Sequence, residues 1–214
     1  VRLRKGPVIA ALYPVAMLLG QLALALGLAR GLGAALALSG VPGLGWAGLA
    51  MVWPVLDGFR RIDGRLYAHY LMHDYAFTAS RAGAMPPALS DRLDAFADRV
   101  AEALDSDADE VLVVGHSSGA HLAVSLIARM LRAGRVPAGG PALSLLTLGQ
   151  VAPMVSFLPG AGDLRADLRL MSEQARIPWI DVTAPGDGCA FALCDPVAVS
   201  GVARPGRRWP LVIS

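Results

Sequence analysis

Residues 111–119 read VLVVGHSSG. Val111, Leu112, Val113 and Val114 form the continuous, β-branched-rich run expected of a strand buried on both faces of a parallel sheet. The run passes straight into Gly115, His116, Ser117, Ser118 and Gly119. Beyond it, Leu122, Ala123, Leu126, Ile127, Met130 and Leu131 recur at helical spacing, and Gly134 is placed to end that helix. The stretch predicts a strand, a sharp turn and a helix, the repeating unit of an α/β fold.

The turn matters because of what it does to a serine. A hydroxyl is a poor nucleophile unless a base removes its proton, so it must be held where an imidazole and a carbonyl substrate both reach it. A tight strand-to-helix reversal does this, and it crowds the positions two before and two after, where Gly115 and Gly119 stand. A helix starting at Ser118 adds its N-terminal partial positive charge, and the Ser118 N–H is the expected first donor to a tetrahedral oxyanion. The five-residue pattern alone also occurs as an ordinary tight turn without chemistry; a strand before it and a helix after it are the context the catalytic reading requires.

With these residues the stretch from Ser90 to Ser214 resembles the α/β-hydrolase superfamily, most closely its lipase and esterase branches, with GHSSG as the nucleophile elbow. The resemblance implies acyl-bond cleavage through an acyl-serine on Ser117, without cofactor or metal. It also implies a triad acid after a later strand. Ala142–Leu148 and Trp179–Val182 are the next strand candidates, and the second leads into Thr183, Ala184, Pro185, Gly186 and Asp187. Asp187 is the expected acid; Asp181, Asp195 and Asp163 compete with it, each also suited to capping or solvating a turn. The family order is Ser, acid, His, yet His69, His73, His116 and His121 all precede Asp187. The resemblance therefore implies a base beyond Ser214, reached from a strand starting near Leu211, with earlier strands and an oxyanion loop before Val1. On that reading the chain, opening on Val1, is a fragment. If it is whole, a catalytically inactive, membrane-anchored scaffold is the alternative.

The region before the elbow is of another kind. The chain of 214 residues is 55% hydrophobic and 17% charged, a balance that excludes disorder and points toward lipid. No charge falls between Pro7 and Ala29 or between Leu32 and Leu56. The first stretch, at 1.5 Å per residue, reaches roughly 34 Å as a helix. The second is interrupted by Gly40, Pro42, Gly43 and Gly45, with Trp46 and Trp53 suited to interfaces. Two spans form a transmembrane helical hairpin over residues 1–56; a turn at Ser39–Gly45 instead leaves a returning arm, Leu44–Leu56, too short to cross, and gives a re-entrant or interfacial hairpin. A secretory signal peptide and a buried hairpin of a soluble protein are the remaining readings. Arg2, Arg4 and Lys5 before, and Arg60, Arg61 and Arg65 after, place both flanks in the cytoplasm by the positive-inside rule, and the catalytic part with them at the inner membrane.

Residues 57–87 read as a connecting segment, and residues 88–214 as a partial α/β-hydrolase domain whose first helix is capped by Ser90 and carries Leu89, Leu93, Phe96, Val100 and Leu104 on one face. The net charge of +2 is scattered, which argues against nucleic acid as a partner. A lipid-like or small acyl substrate and the membrane are the expected partners. His69 and His73 share a helical face beside Asp74, either a metal or relay pair or a surface pair. Cys189 and Cys194 read as small buried hydrophobes, Gln150 as a residue at the carboxyl edge or an ordinary loop amide, and Met154–Leu158 as core or acyl-pocket lining.

Overall fold

A computed structural model describes residues 5–187 and 190–213. It divides into two compact units, one from Ile9 to Phe77 and one from Thr78 onward.

In the first unit, α1 (Lys5–Ala37) runs unbroken through Arg30. Apolar residues stand on every side of it, and Pro14 lies inside it. Gly40 and Gly43 take positive φ in the turn that follows. The chain then enters a 3-10 helix, Leu44–Met51, and continues as α2 (Val52–Arg61), α3 (Asp63–Leu66) and α4 (Ala68–Ala79). The uncharged stretch after Arg30 is thus no second span: its first part completes α1, and its remainder folds back as a short arm. The reason is local, since the glycine-rich turn reverses the chain before enough apolar residues have accumulated to cross a bilayer. Among the described residues one helix, Ala11–Ala37, is long and apolar enough to do so.

In the second unit, α5 (Pro87–Leu104) starts three residues before the expected Ser90 cap, because Pro87 at the first helical position needs no N–H partner and brings a helical φ with it. Ser90 instead lies within α5, where its Oγ accepts from Arg129 Nη1 at 2.9 Å. Then come β1 (Glu110–His116), α6 (Ser118–Arg132), β2 (Ala142–Leu148), α7 (Ala152–Ser156), α8 (Gly162–Glu173), β3 (Trp179–Val182), α9 (Pro196–Val199) and β4 (Leu211–Ile213). All four strands are parallel in the order β1-β2-β3-β4.

Consecutive right-handed crossovers stepping one way across a parallel sheet put their helices on one face. Val111, Val113, Leu143, Leu145 and Trp179 point to that face, and the core forms there against Leu93, Ala97, Ala123, Val124, Ile127, Leu168 and Met171. The opposite face, with Leu112, Val114, Ile180, Leu211 and Ile213, is exposed. This corrects the expectation of a β1 buried on both faces: Leu112 and Val114 are each about half exposed, at 51% and 52%. Arg129 Nη1 reaches Asp94 at 2.6 Å, and Arg132 reaches Asp167 at 2.5 Å, tying α6 to α5 and α8.

Candidate functional site

Ser117 stands between the last residue of β1 and the first of α6 with φ 54° and ψ −122°. A non-glycine residue in this region costs on the order of 1–3 kcal/mol and persists only where its surroundings impose it. Here the surroundings are explicit. The Ser117 N–H donates to the Leu148 carbonyl at 2.9 Å, continuing the β1–β2 ladder, while its own carbonyl accepts from Ala120 N–H at 3.0 Å, the first bond of the helix. The chain must reverse within one residue. A serine at an N-cap ordinarily spends its hydroxyl on the helix N–H groups; Ser117 makes no such bond and is half-buried.

The two flanking glycines are not equivalent. A Cβ at Gly115 would stand 2.6 Å from the Gly119 carbonyl oxygen and 2.7 Å from Ala120 Cα, so Gly115 is required by backbone it cannot displace. A Cβ at Gly119 would meet nothing within 4 Å, and the expected steric demand at that position is absent. Gly119 supplies the carbonyl that crowds Gly115. Ser118 opens α6, so its N–H belongs to the first turn of that helix.

The carboxyl ends of β2 and β3 bring the next element to this edge. His116 pairs with Leu148, so Gly149 follows directly beside Ser117. Gly149 has φ 54°, and its N–H donates to the Val182 carbonyl at 2.8 Å. A Cβ there would lie 3.3 Å from Asp187 Oδ2, which places the Asp187 carboxylate against the backbone next to the elbow. Its Oδ1 accepts from Ala190 N–H at 3.3 Å, and the side chain is exposed.

The three competing acids stand in different settings. Asp195 caps α9, accepting from Val197 and Ala198 N–H at 2.9 and 3.1 Å, and pairs with Arg207. Asp163 lies in the first turn of α8. Asp181 faces the helix layer with no exposed surface; Thr147 Oγ1 donates to its Oδ1 at 2.6 Å, and Oδ2 has no partner. Burial pushes its pKa up to about 6, with the nearby Asp195 charge adding to the rise and the Thr147 bond opposing it.

Sequence reasoning missed what Gln150 does. It is buried, with Nε2 donating to the Cys194 carbonyl at 3.1 Å and Oε1 accepting from Ala152 N–H at 3.0 Å. Together with the Phe191 N–H to Gln150 carbonyl bond and the Leu193 N–H to Thr183 Oγ1 bond, it pins the loop that follows Asp187. The only signal in the sequence is a large amide directly after a strand. Cys194 is a half-buried free thiol, and Cys189 lies outside the described residues. Residues 152–156 form α7, with Val155 in the core and Phe157 exposed.

The histidines divide clearly. His121, one turn into α6, has its Nδ1 sealed from solvent without a partner, and burial lowers its pKa to about 4. It is neutral at ordinary pH. His116 is exposed. His69 belongs to the start of α4, where the His69 and Tyr70 N–H groups both donate to Asp63 at 2.9 Å; His73 is exposed on the same helix. Among the described residues no group of three or more His, Cys, Asp or Glu could hold a metal ion.

No protein-family model, no curated protein and no solved structure matches this chain.

Proposed function

We propose that the chain carries the nucleophile of a serine hydrolase of the α/β-hydrolase type, acting on an ester or related acyl bond, and that it is membrane-associated with its second unit on the cytoplasmic side. One observation carries the reading: Ser117 is held at φ 54°, ψ −122° on a strand-to-helix junction with its hydroxyl unused as a helix cap. Strain of this kind concentrates where a group must be presented for chemistry.

In the proposed reaction Ser117 Oγ attacks the acyl carbonyl and passes its proton to an imidazole. The carbonyl oxygen gains charge against the Ser118 N–H and the α6 N-terminus. The alcohol leaves with that proton, and water then releases the acid from the acyl-serine. In this reaction Asp187 has the role of orienting the imidazole, a role supported by its carboxylate lying against Gly149 at the same strand edge. The long apolar helix α1 favours a lipid-like or acyl substrate delivered from the bilayer, on grounds of location.

A second reading has its own support. Among the described residues no hydrogen bond joins a histidine to Ser117, and an elbow without a proton acceptor is a membrane-anchored, hydrolase-like scaffold. The two separate on turnover: full-length protein in native membranes, offered p-nitrophenyl esters of increasing chain length, should hydrolyse them above the rate of Ser117→Ala. Equal rates for the two proteins would favour the scaffold.

A further inference from the structure

The first unit, taken alone, is a closely packed helical hairpin. The returning arm packs antiparallel on α1 at van der Waals limits: a Cβ at Gly33 would stand 2.5 Å from the Gly45 carbonyl oxygen, and one at Gly48 would collide with the Ala29 carbonyl and the Gly33 backbone. Ala25 and Ala29 are buried on the same stripe. Far along the hairpin, Tyr13 Oη donates to the Leu66 carbonyl at 2.7 Å, which fixes the register at the other end.

That register decides what lies beside what. From Gly48, the 3-10 segment rises about 6 Å to Met51 and α2 a further 9 Å to Asp57, roughly the length of ten α1 residues. Asp57 is therefore level with about Leu19, and Arg61 with about Val15, in keeping with Tyr13 at Leu66. Arg60 and Arg61 are exposed, and Arg61 pairs with Asp57 at 2.7 Å. The N-terminal half of α1 thus runs beside charged, water-facing surface and cannot lie in hydrocarbon along its whole length, whatever its own apolarity.

The other end of the hairpin is its reverse. Between Arg30 and Asp57 no side chain is charged. Leu38, at 89%, and Trp46, at 77%, are strongly exposed at the end where the arms join. Arg30 lies about 10 Å back from Ala37 along α1, and helical side chains lean toward the helix N-terminus, away from the tip. Its exposed guanidinium, snorkelling the length of its stem, reaches roughly one leaflet's depth, about 15 Å, from the tip. Trp53, 72% exposed, lies about 20 Å from the tip, at headgroup level.

From these levels we infer that residues from about Leu26 to Val52 form a re-entrant hairpin that dips tip-first into one leaflet and returns, with Arg30 and Trp53 at the headgroups. The partner is the cytoplasmic leaflet, whose anionic lipids suit Arg30 and the basic flank of α2. The inference rests on the membrane reading of this unit and is independent of any chemistry at Ser117.

The experiment uses the full chain with Cys189→Ser and Cys194→Ser as background, in vesicles of mixed phosphatidylcholine and phosphatidylglycerol, with single cysteines at Ser39, Trp53 and Leu19. A membrane-impermeant maleimide should leave Ser39→Cys unlabelled from either side until detergent is added. It should label Leu19→Cys from one side only. A spin label at Ser39 should meet oxygen more than a water-soluble nickel chelate, and the Trp53 label should report the headgroup region. Labelling of Ser39→Cys in intact vesicles, with Leu19→Cys protected until detergent is added, would overturn the inference in favour of a full span. Ready labelling of Ser39→Cys on protein that stays with the supernatant would overturn it together with the membrane reading. A background protein that fails to bind vesicles is distinguished by repeating the flotation with the native cysteines restored.

Discussion

Replacing Asp181 by asparagine should stabilise the protein above neutral pH and leave it unchanged in acid. The carboxyl has no exposed surface, one oxygen accepts from Thr147, and the other has no partner. Its pKa is raised from 3.8 to about 6, chiefly by burial. An acid whose folded pKa lies above its unfolded value favours folding below the unfolded value, and that contribution is lost as pH rises through the folded one. The window here is about pH 4 to 6. At about 1.4 kcal/mol per pH unit, the rise corresponds to about 3 kcal/mol of destabilisation at pH 7.5. The amide in Asp181→Asn would keep an oxygen to accept from Thr147 and cannot ionise. In urea titrations of the full chain in detergent, at m-values of about 1–3 kcal/mol/M, the midpoint at pH 7.5 should move up by about 1–3 M relative to wild type. The difference should shrink toward zero near pH 4. A variant less stable than wild type at pH 7.5, or a gap that does not depend on pH, would show that the carboxylate is ionised and paired, and the placement of Asp181 as a structural acid would fail.

The elbow glycines should respond oppositely: Gly115→Ala should destabilise by about 3 kcal/mol or more because its Cβ meets backbone, while Gly119→Ala should stay within roughly 0.5 kcal/mol in the same titration. Ser117→Gly should be more stable than Ser117→Ala by about 1 kcal/mol, since glycine relaxes the positive φ; equal stabilities would mean the residue is not strained. Gln150→Ala should open the loop after Asp187, seen as faster amide hydrogen exchange at Phe191 and Leu193, with the β1–α6 region unchanged. Asp187→Asn should lower ester turnover without changing stability in the urea titration by more than about 0.5 kcal/mol, because the side chain is exposed.

How far these features were legible follows from their range. Strand, turn and helix around Ser117 were readable because all three signals lie close together in the chain and each is local: an apolar run, a glycine, a helical stripe. The three later strands were readable for the same reason. What the sequence did not show was that β1 has one open face, because Leu112 and Val114 are as apolar as Val111 and Val113, and only the one-sided crossovers separate them. Nor did it show the inequality of Gly115 and Gly119, which depends on where a carbonyl lands across the turn. Of the two arrangements the sequence left open for residues 1–56, the structure has the turn within Ser39–Gly45 and the short returning arm from Leu44; two spans stayed in play because Arg30 looked like a boundary, whereas a lone arginine on a long apolar helix leaves the backbone undisturbed. The choice of Asp187 over Asp181 was positional in the sequence; what the sequence did not show is that Asp181 is buried under helices while Asp187 is exposed.

The measurement that bears most directly on the elbow is covalent. Full-length protein in membranes is treated with a fluorophosphonate probe, and the adduct is located by peptide mass spectrometry. The account predicts one modified serine, Ser117, in wild type, reduced labelling in Asp187→Asn, and none in Ser117→Ala. A folded wild-type protein that takes up no probe, or an adduct that persists in Ser117→Ala, would contradict it.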